Sequence, residues 1–176
     1  MYEKGTYDVG CGTFSYNIHK AAAGEPILGD EVADLIPYER HCHKPEDLPP
    51  LRGDVHGNTV LSNSGFACAG RALPEYAIRK DNKTSFSQQA GLTIGGAPYQ
   101  YNIWWKPGCR IEKNGGPTAI SAYNPFLQKS GPGPDFCQRT LWENWEKCGG
   151  NGGRGGYIQL GCLMYEFVAS SEPRKF

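Results

Sequence analysis

The clearest alternation of apolar and polar residues runs from Tyr99 to Trp105. In an extended chain the odd-numbered residues of this segment point to one side and the even-numbered residues to the other. The odd-numbered positions are all aromatic or aliphatic, whereas the even-numbered ones include Gln100 and Asn102. Aromatic and β-branched residues favour strands, so this segment is predicted to be a strand with one buried face.

Other segments predict short strands separated by Gly, Pro and Asn turns. They are residues 7–18, which carry Cys11, and residues 59–69, 76–79, 84–89, 92–94, 110–112 and 119–123. The nearly continuous apolar run of residues 157–168 predicts one long, buried, central strand. Residues 31–36, which follow Gly29 and Asp30 and precede Pro37, favour a short helix.

One longer helix is predicted over Asp135–Cys148, because Pro134 precedes it and Gly149 follows it. Its apolar stripe has a cysteine at each end, Cys137 and Cys148. At a rise of 1.5 Å per residue these cysteines lie about 16 Å apart, whereas a disulfide needs Cα atoms within about 7 Å. Each must therefore bond to a cysteine elsewhere and pin one end of the helix, and Cys162 is a candidate partner.

The seven cysteines are scattered along the chain, and no C-x-x-C pair occurs among them. This distribution is typical of a disulfide framework formed in an oxidising compartment, not of a zinc ribbon. Three bridges would leave one thiol over, and the pairing remains open at this stage. The candidate disulfide residues are Cys11, Cys42, Cys68, Cys109, Cys137, Cys148 and Cys162.

Length and composition indicate the fold class and the number of domains. The chain has 176 residues, and its 24 Gly and 13 Pro are spread between apolar runs, as in a domain of many short strands and turns. We therefore predict a single secreted α+β domain over residues 1–176. It is expected to be mainly antiparallel β, as a sandwich or half-barrel, with the 135–148 helix pinned by disulfides and an exposed loop over about residues 41–57.

Charge and hydropathy exclude some functions. The 18 basic and 18 acidic residues balance, and no basic block is present, so nucleic-acid binding is not expected. No apolar run reaches the length of a membrane span. The residues after Met1 lack the apolar region of a signal peptide, so secretion would require that a signal has already been removed.

Two motifs lie in the predicted loop. Gly53–Asn58 contains D-x-H-G-N, which resembles the start of the metal site in calcineurin-like phosphoesterases. The Pro-rich residues before it are not a buried strand, and the family's downstream elements are missing, so a charged loop is the better interpretation. Arg52-Gly53-Asp54 also spells an integrin-type tripeptide, which would have to be presented at a loop tip.

Two further clusters have simple structural explanations. His41 and His43 flank Cys42, and a third ligand such as His19 or His56 would be needed for copper or zinc. A disulfide cysteine between two exposed histidines is the favoured interpretation, and no metal or other cofactor is predicted. The glycine-rich residues 149–156 lack a phosphate-loop motif and favour a flexible connection from helix to strand.

Aromatic side chains provide the strongest indication of a ligand. Tyr99, Tyr101, Trp104 and Trp105 offer much ring surface within one segment, and extracellular sugar-binding modules stack such rings on pyranose faces. The alternative is that one face of the strand is core and Trp104 only covers an edge. These four residues are the candidate ligand-binding site, and no catalytic residue is assigned.

Residues 125–168 combine Cys137, a Trp-containing helix, Cys148, the glycine loop and G-C-L-M-Y-E-F. This arrangement resembles small secreted cysteine-rich proteins of filamentous fungi, many of which are regarded as virulence effectors acting at plant or microbial surfaces. The resemblance implies secretion, disulfides and binding, and it implies no catalytic residue. We expect an effector or toxin-like protein that binds a host surface protein or a glycan. A small secreted hydrolase of glycosidase or ribonuclease type is the alternative.

Overall fold

The computed structural model describes residues 2–8, 13–19, 39–69, 77–80, 86–90, 96–111, 116–127 and 133–172. The predicted helix at 31–36, the predicted strand at 92–94 and Cys11 lie outside these residues. In chain order the strands are β1 (Tyr2–Asp8), β2 (Thr13–His19), β3 (Arg40–Cys42), β4 (Ile78–Arg79), β5 (Phe86–Ala90), β6 (Tyr99–Trp105), β7 (Ala119–Ile120), β8 (Gly155–Leu160) and β9 (Leu163–Ala169). The helices are α1 (Gly57–Cys68) and α2 (Pro134–Glu146).

A five-stranded antiparallel sheet with the order β3-β8-β9-β6-β5 forms the centre of the described structure. β1 pairs with β2, and β4 pairs with β7, each antiparallel. The helices α1 and α2 pack on one face of the five-stranded sheet, where the Tyr101 hydroxyl donates to the Val60 carbonyl of α1. The α+β class, the mainly antiparallel pairing and the disulfide framework are confirmed.

Two predicted strands are hairpins instead. The 157–168 run divides into β8 and β9, which are joined at Gly161 and Cys162 and pair from Leu160 with Leu163 onward. Gly161 has φ +57°, and a Cβ there would lie 2.4 Å from the Pro125 carbonyl oxygen, so the turn needs glycine. β9 occupies the central position that the long strand was expected to take. The 7–18 segment likewise contains the end of β1, Tyr7 and Asp8, and most of β2, and Asp8 pairs with Thr13; residues 9–12 lie outside the described residues.

The prediction of strands at residues 59–69 was wrong, because this segment is α1. Its buried residues follow helical spacing: Val60, Ser64, Ala67 and Cys68. Two glycines allow α2 to approach closely, since a Cβ on Gly57 would meet the Trp145 ring at 2.4 Å and one on Gly65 would meet Gln138 at 3.0 Å. The segment is rich in Gly, Asn and Ser, which are weak helix formers, so packing against α2 stabilises the helix.

The helix predicted at 135–148 is α2, and its two cysteines bond to different elements as expected. Cys137 bonds to Cys68 at the end of α1, and Cys148, just beyond α2, bonds to Cys42 in β3. The suggestion that Cys162 bonds to a helix cysteine was wrong, because Cys162 bonds to Cys109. Cys162 lies in the β8–β9 turn, next to the end of β6, where Lys106 N donates to its carbonyl. None of the helices in the described residues is long and apolar enough to cross a membrane.

Candidate functional site

The sheet face that points away from the helices carries a polar row across neighbouring strands. Strand register places His41 of β3 opposite Tyr157 of β8, Tyr157 opposite Glu166 of β9, and Glu166 opposite Asn102 of β6. We call these four residues the polar row. Asn102 belongs to the polar row because side chains alternate along β6, which places Asn102 on the face opposite Tyr101 and Ile103.

Glu166 is the centre of the polar row and has no exposed surface. One of its carboxylate oxygens accepts a hydrogen bond of 2.8 Å from Asn102 Nδ2, and the other lies 3.1 Å from His43 Nε2. A buried carboxylate is costly unless polar partners surround it. Asn102 and His43, which are also buried, provide such partners.

The glycine-rich segment after α2 positions His43. The His43 amide donates to the Gly155 carbonyl at 2.9 Å, which continues the pairing of β3 with β8. Asn151 Nδ2 donates to the carbonyls of both His43 and Gly155, at 2.9 and 2.7 Å. Residues 149–156 therefore connect helix to strand as predicted, but hydrogen bonds of Asn151 and Gly155 fix the connection, which was predicted to be flexible.

The accessible end of the polar row is a pair of rings. His41 is exposed and stacks on the half-buried Tyr157, with ring centroids 5.1 Å apart and planes 25° apart. His43 lies on the other flank of Tyr157 at 5.8 Å. Within the described part of the chain, no group of three or more His, Cys, Asp or Glu is placed to hold a metal ion. His56 lies at the start of α1, and the side chain of His19 is outside the description.

The four aromatic residues predicted to bind a ligand are distributed over both sheet faces. Tyr99 and Tyr101 are fully buried against Phe167, at centroid distances of 5.5 and 5.3 Å, and Trp105 is also buried. These three rings therefore belong to the hydrophobic core. Trp104 lies on the polar face beside Met164 in register and is half-buried, so it is the member of the set that keeps partial access to solvent.

Buried tyrosine hydroxyls link the sheet to the surrounding elements. Burial raises the pKa of Tyr99, Tyr101 and Tyr165 above the ordinary value of 10.0, because it disfavours the phenolate. The Tyr165 hydroxyl donates to the Ala122 carbonyl at 2.7 Å, and the Tyr99 hydroxyl accepts from the His56 amide at 2.9 Å. As neutral phenols these residues hold the loops that surround the sheet.

The loop before α1 is the second candidate surface. Arg52, Gly53 and Asp54 are exposed, whereas Leu51 and Val55 on either side are partly buried and pack against the core. We call residues 51–55 the anchored loop. Its Asp54 belongs to the D-x-H-G-N motif, but no buried strand precedes it. The phosphoesterase resemblance therefore has no structural support, and the motif instead leads into α1.

Long-range contacts hold both ends of the anchored loop, and sequence reasoning did not find them. Arg154 is buried and donates to the Pro49 carbonyl at 2.8 Å and to the Ala169 carbonyl at 3.0 Å. Asp54 forms an isolated parallel bridge with Gly96, and the His56 amide donates to Tyr99. For the contact between Arg154 and Pro49, the one available sequence signal was an arginine within a glycine-rich tract.

Comparisons with known proteins found no match among family models, curated protein sequences or solved structures.

Proposed function

We propose that this protein is an extracellular effector or toxin-like binding protein that acts by contacting a host surface protein or a glycan. The observation that carries the proposal is a contrast in accessibility. The buried pair Glu166 and His43 is enclosed in the sheet, whereas the anchored loop and the His41–Tyr157 ring pair face solvent.

The disulfides support an extracellular location. Three bridges connect α1, α2, β3 and the β8–β9 turn with the rest of the fold. Structural disulfides persist in oxidising compartments and are rare where glutathione keeps thiols reduced. Cys42 is exposed, so its bridge to Cys148 would be open to thiol exchange in a reducing compartment.

Binding is favoured over catalysis because the buried carboxylate of Glu166 contacts other side chains of the protein and is not accessible to a substrate. Glu166 is engaged with Asn102 and His43 and has no exposed surface. A general acid or base must come within hydrogen-bond reach of its substrate, which this burial prevents for the carboxylate. The anchored loop is held on both sides by Leu51 and Val55, which pack against the core, and such anchoring suits recognition because less ordering entropy is lost on binding.

The hydrolase alternative is favoured by one specific observation. The His43 imidazole lies 3.1 Å from the Glu166 carboxylate, and Tyr157 and His41 follow on the same sheet face; such groups carry out acid–base hydrolysis in small enzymes. Turnover of RNA and of oligosaccharides by the wild-type chain, abolished by both His41→Ala and His43→Ala, would support this alternative. Our proposal predicts no turnover that depends on these residues.

A binding screen tests the proposal. The folded, labelled protein is applied to arrays of host-surface proteins and of glycans, alongside the same protein after reduction and alkylation. We expect saturable binding that is lost on reduction. His41→Ala and Trp104→Ala test the polar face as a glycan platform, with exposed Arg139→Ala on α2 as the matched control. Absence of saturable binding in both arrays would contradict the proposal, and hydrolytic turnover would then favour the hydrolase alternative.

A further inference from the structure

We infer that the anchored loop is a receptor-binding site for a cell-surface adhesion receptor that takes a carboxylate on a bound divalent cation. This inference rests on the proposed function and specifies its surface and partner class. The tripeptide Arg52-Gly53-Asp54 supplies one cationic and one anionic side chain, both exposed.

Neither charge is used within the fold. Among the described residues, the ion pairs involve Arg40, His43, Arg139 and Lys147 with glutamates, and neither Arg52 nor Asp54 takes part in them. Asp54 takes part in the bridge to Gly96 through its backbone, so its carboxylate remains free for an external partner. Since neither side chain has an internal partner in the described part of the chain, both charged groups are accessible to an external one.

The loop is preorganised around the tripeptide. Leu51 and Val55 pack against the core directly before and after it, and Val55 lies against Gly153, where an added Cβ would approach the Val55 Cβ to 2.9 Å. Farther out, Arg154 holds the Pro49 carbonyl and Tyr99 holds the His56 amide. Fixing a binding loop before association reduces the entropy lost on binding.

Gly53 sets the backbone between the two charges. Its φ is +85°, a conformation that L side chains rarely adopt, so the glycine is required for this turn. The Cα atoms of Arg52 and Asp54 can be at most roughly 7 Å apart, which keeps both charged groups within one small contact area.

The chemistry of the two side chains identifies the partner class. An exposed aspartate is a hard oxygen donor that completes the coordination of Mg²⁺, Mn²⁺ or Ca²⁺ held by another protein. The Arg52 guanidinium pairs in a bidentate manner with a carboxylate. A receptor that presents a divalent cation beside an acidic group, as an integrin-type receptor does for this tripeptide, fits both.

The test measures binding of the full chain to the immobilised ectodomain of an Arg-Gly-Asp-binding integrin in Mg²⁺ buffer. Wild type is compared with Asp54→Asn, with Asp54→Glu and with the matched control Asp47→Asn, which removes an exposed carboxylate just upstream. Disulfide content and melting temperature of every variant confirm the fold. We expect Asp54→Asn to weaken binding about 30-fold or more, as for an interface hot spot. EDTA should abolish binding, and Asp47→Asn should leave it unchanged.

Three outcomes would overturn the inference. Binding that persists in EDTA and in Asp54→Asn would show that this receptor contacts another surface. Absence of receptor binding by the folded wild type, together with saturable binding in the protein or glycan arrays, would reject this partner class and leave the proposed function standing. Failure in both the receptor assay and the arrays would reject both the inference and the proposed function.

Val55→Ala leaves the tripeptide intact and tests the preorganisation of the loop. It is expected to weaken receptor binding several-fold.

Discussion

His43 Nε2 lies 3.1 Å from Glu166 Oε1 across the polar face of the sheet, and both side chains are buried. The other oxygen of Glu166 accepts a hydrogen bond from Asn102. This contact connects the residue after the edge strand β3 with the centre of β9, over the intervening strand β8. It therefore joins segments that are distant in sequence and gives the short β3 a side-chain attachment in addition to its backbone pairing.

Removing the carboxylate should destabilise the protein. In Glu166→Ala, Asn102 loses its hydrogen-bond acceptor and His43 loses the carboxylate 3.1 Å away while both stay buried, which is expected to lower the free energy of unfolding by about 3 kcal/mol. Urea unfolding measures the change, with exposed Glu146→Ala as the control. A double-mutant cycle with His43→Ala should give a coupling energy above about 0.5 kcal/mol. Additive effects would show that the two side chains do not interact.

The three disulfides should differ in their ease of reduction. Cys42 is exposed, whereas both cysteines of the other two bridges are buried. Limited treatment with a reductant should therefore free Cys42 and Cys148 first, because exchange needs access to a sulfur atom. Stepwise alkylation followed by mass spectrometry measures the order. Earlier reduction of Cys68–Cys137 or Cys109–Cys162 would contradict the burial of those bridges.

Loss of any one bridge should lower stability. The paired cysteines are 53 to 106 residues apart, for which loop entropy predicts about 4–5 kcal/mol, and native disulfides in small domains typically contribute about 2–5 kcal/mol. Replacing Cys68 and Cys137 together by alanine is expected to reduce the melting temperature markedly, since this bridge fastens α1 to α2. An unchanged thermal transition would show that helix packing alone is sufficient.

Gly156 is expected to tolerate no larger side chain. A Cβ there would lie 2.3 Å from the His41 carbonyl oxygen and 2.8 Å from Cys148 Sγ, at the point where β3, β8 and the disulfide meet. Gly156→Ala should destabilise by more than about 2 kcal/mol, because neither neighbour can move without disturbing the sheet edge. Gly149→Ala is the matched control, since its Cβ would meet no atom within 4 Å. Equal stability of the two variants would contradict the packing described for β3 and β8.

Alkaline pH should unfold the protein through its buried tyrosines. Burial raises the pKa of Tyr99, Tyr101 and Tyr165 above 10.0 in the folded state. Their contribution to stability is therefore complete below pH 10.0 and is lost as the pH rises above it, because the unfolded chain releases these protons first. Tyrosinate absorbance should consequently show a late fraction that appears together with loss of structure. Ionisation of all tyrosines near pH 10 without unfolding would contradict their burial.

The sequence predicted elements whose signals are local. β6 follows from the apolar–polar alternation of Tyr99–Ile103 and the aromatic content of the segment, and α2 follows from its Pro and Gly boundaries and its apolar stripe. The exclusion of a Cys137–Cys148 bond needed only helix geometry. α1 was missed because its buried positions include Ser64 and because two of its residues are glycines that serve a contact with α2.

Features that depend on long-range pairing could not be predicted. β8 and β9 are largely buried, so the apolar run hides their turn, and only Gly161 marks it. The pairs His43–Glu166 and Arg154–Pro49 join residues that topology brings together, and no local pattern indicates them. For the aromatic segment, alternation separated Tyr99, Tyr101 and Trp105 from Trp104, but only the fold shows that α1 and α2 cover the face of the first three.

Disulfide mapping of the protein purified from its native source, with free thiols blocked before digestion, tests the extracellular stapled frame on which the proposed binding role depends. Our account predicts cross-linked peptides for Cys42–Cys148, Cys68–Cys137 and Cys109–Cys162, and resistance of the folded protein to alkylation at these six residues. Alkylation of all six cysteines would contradict it. The helices would then lack their disulfide cross-links, and the protein would come from a reducing compartment, where an extracellular binding protein does not act.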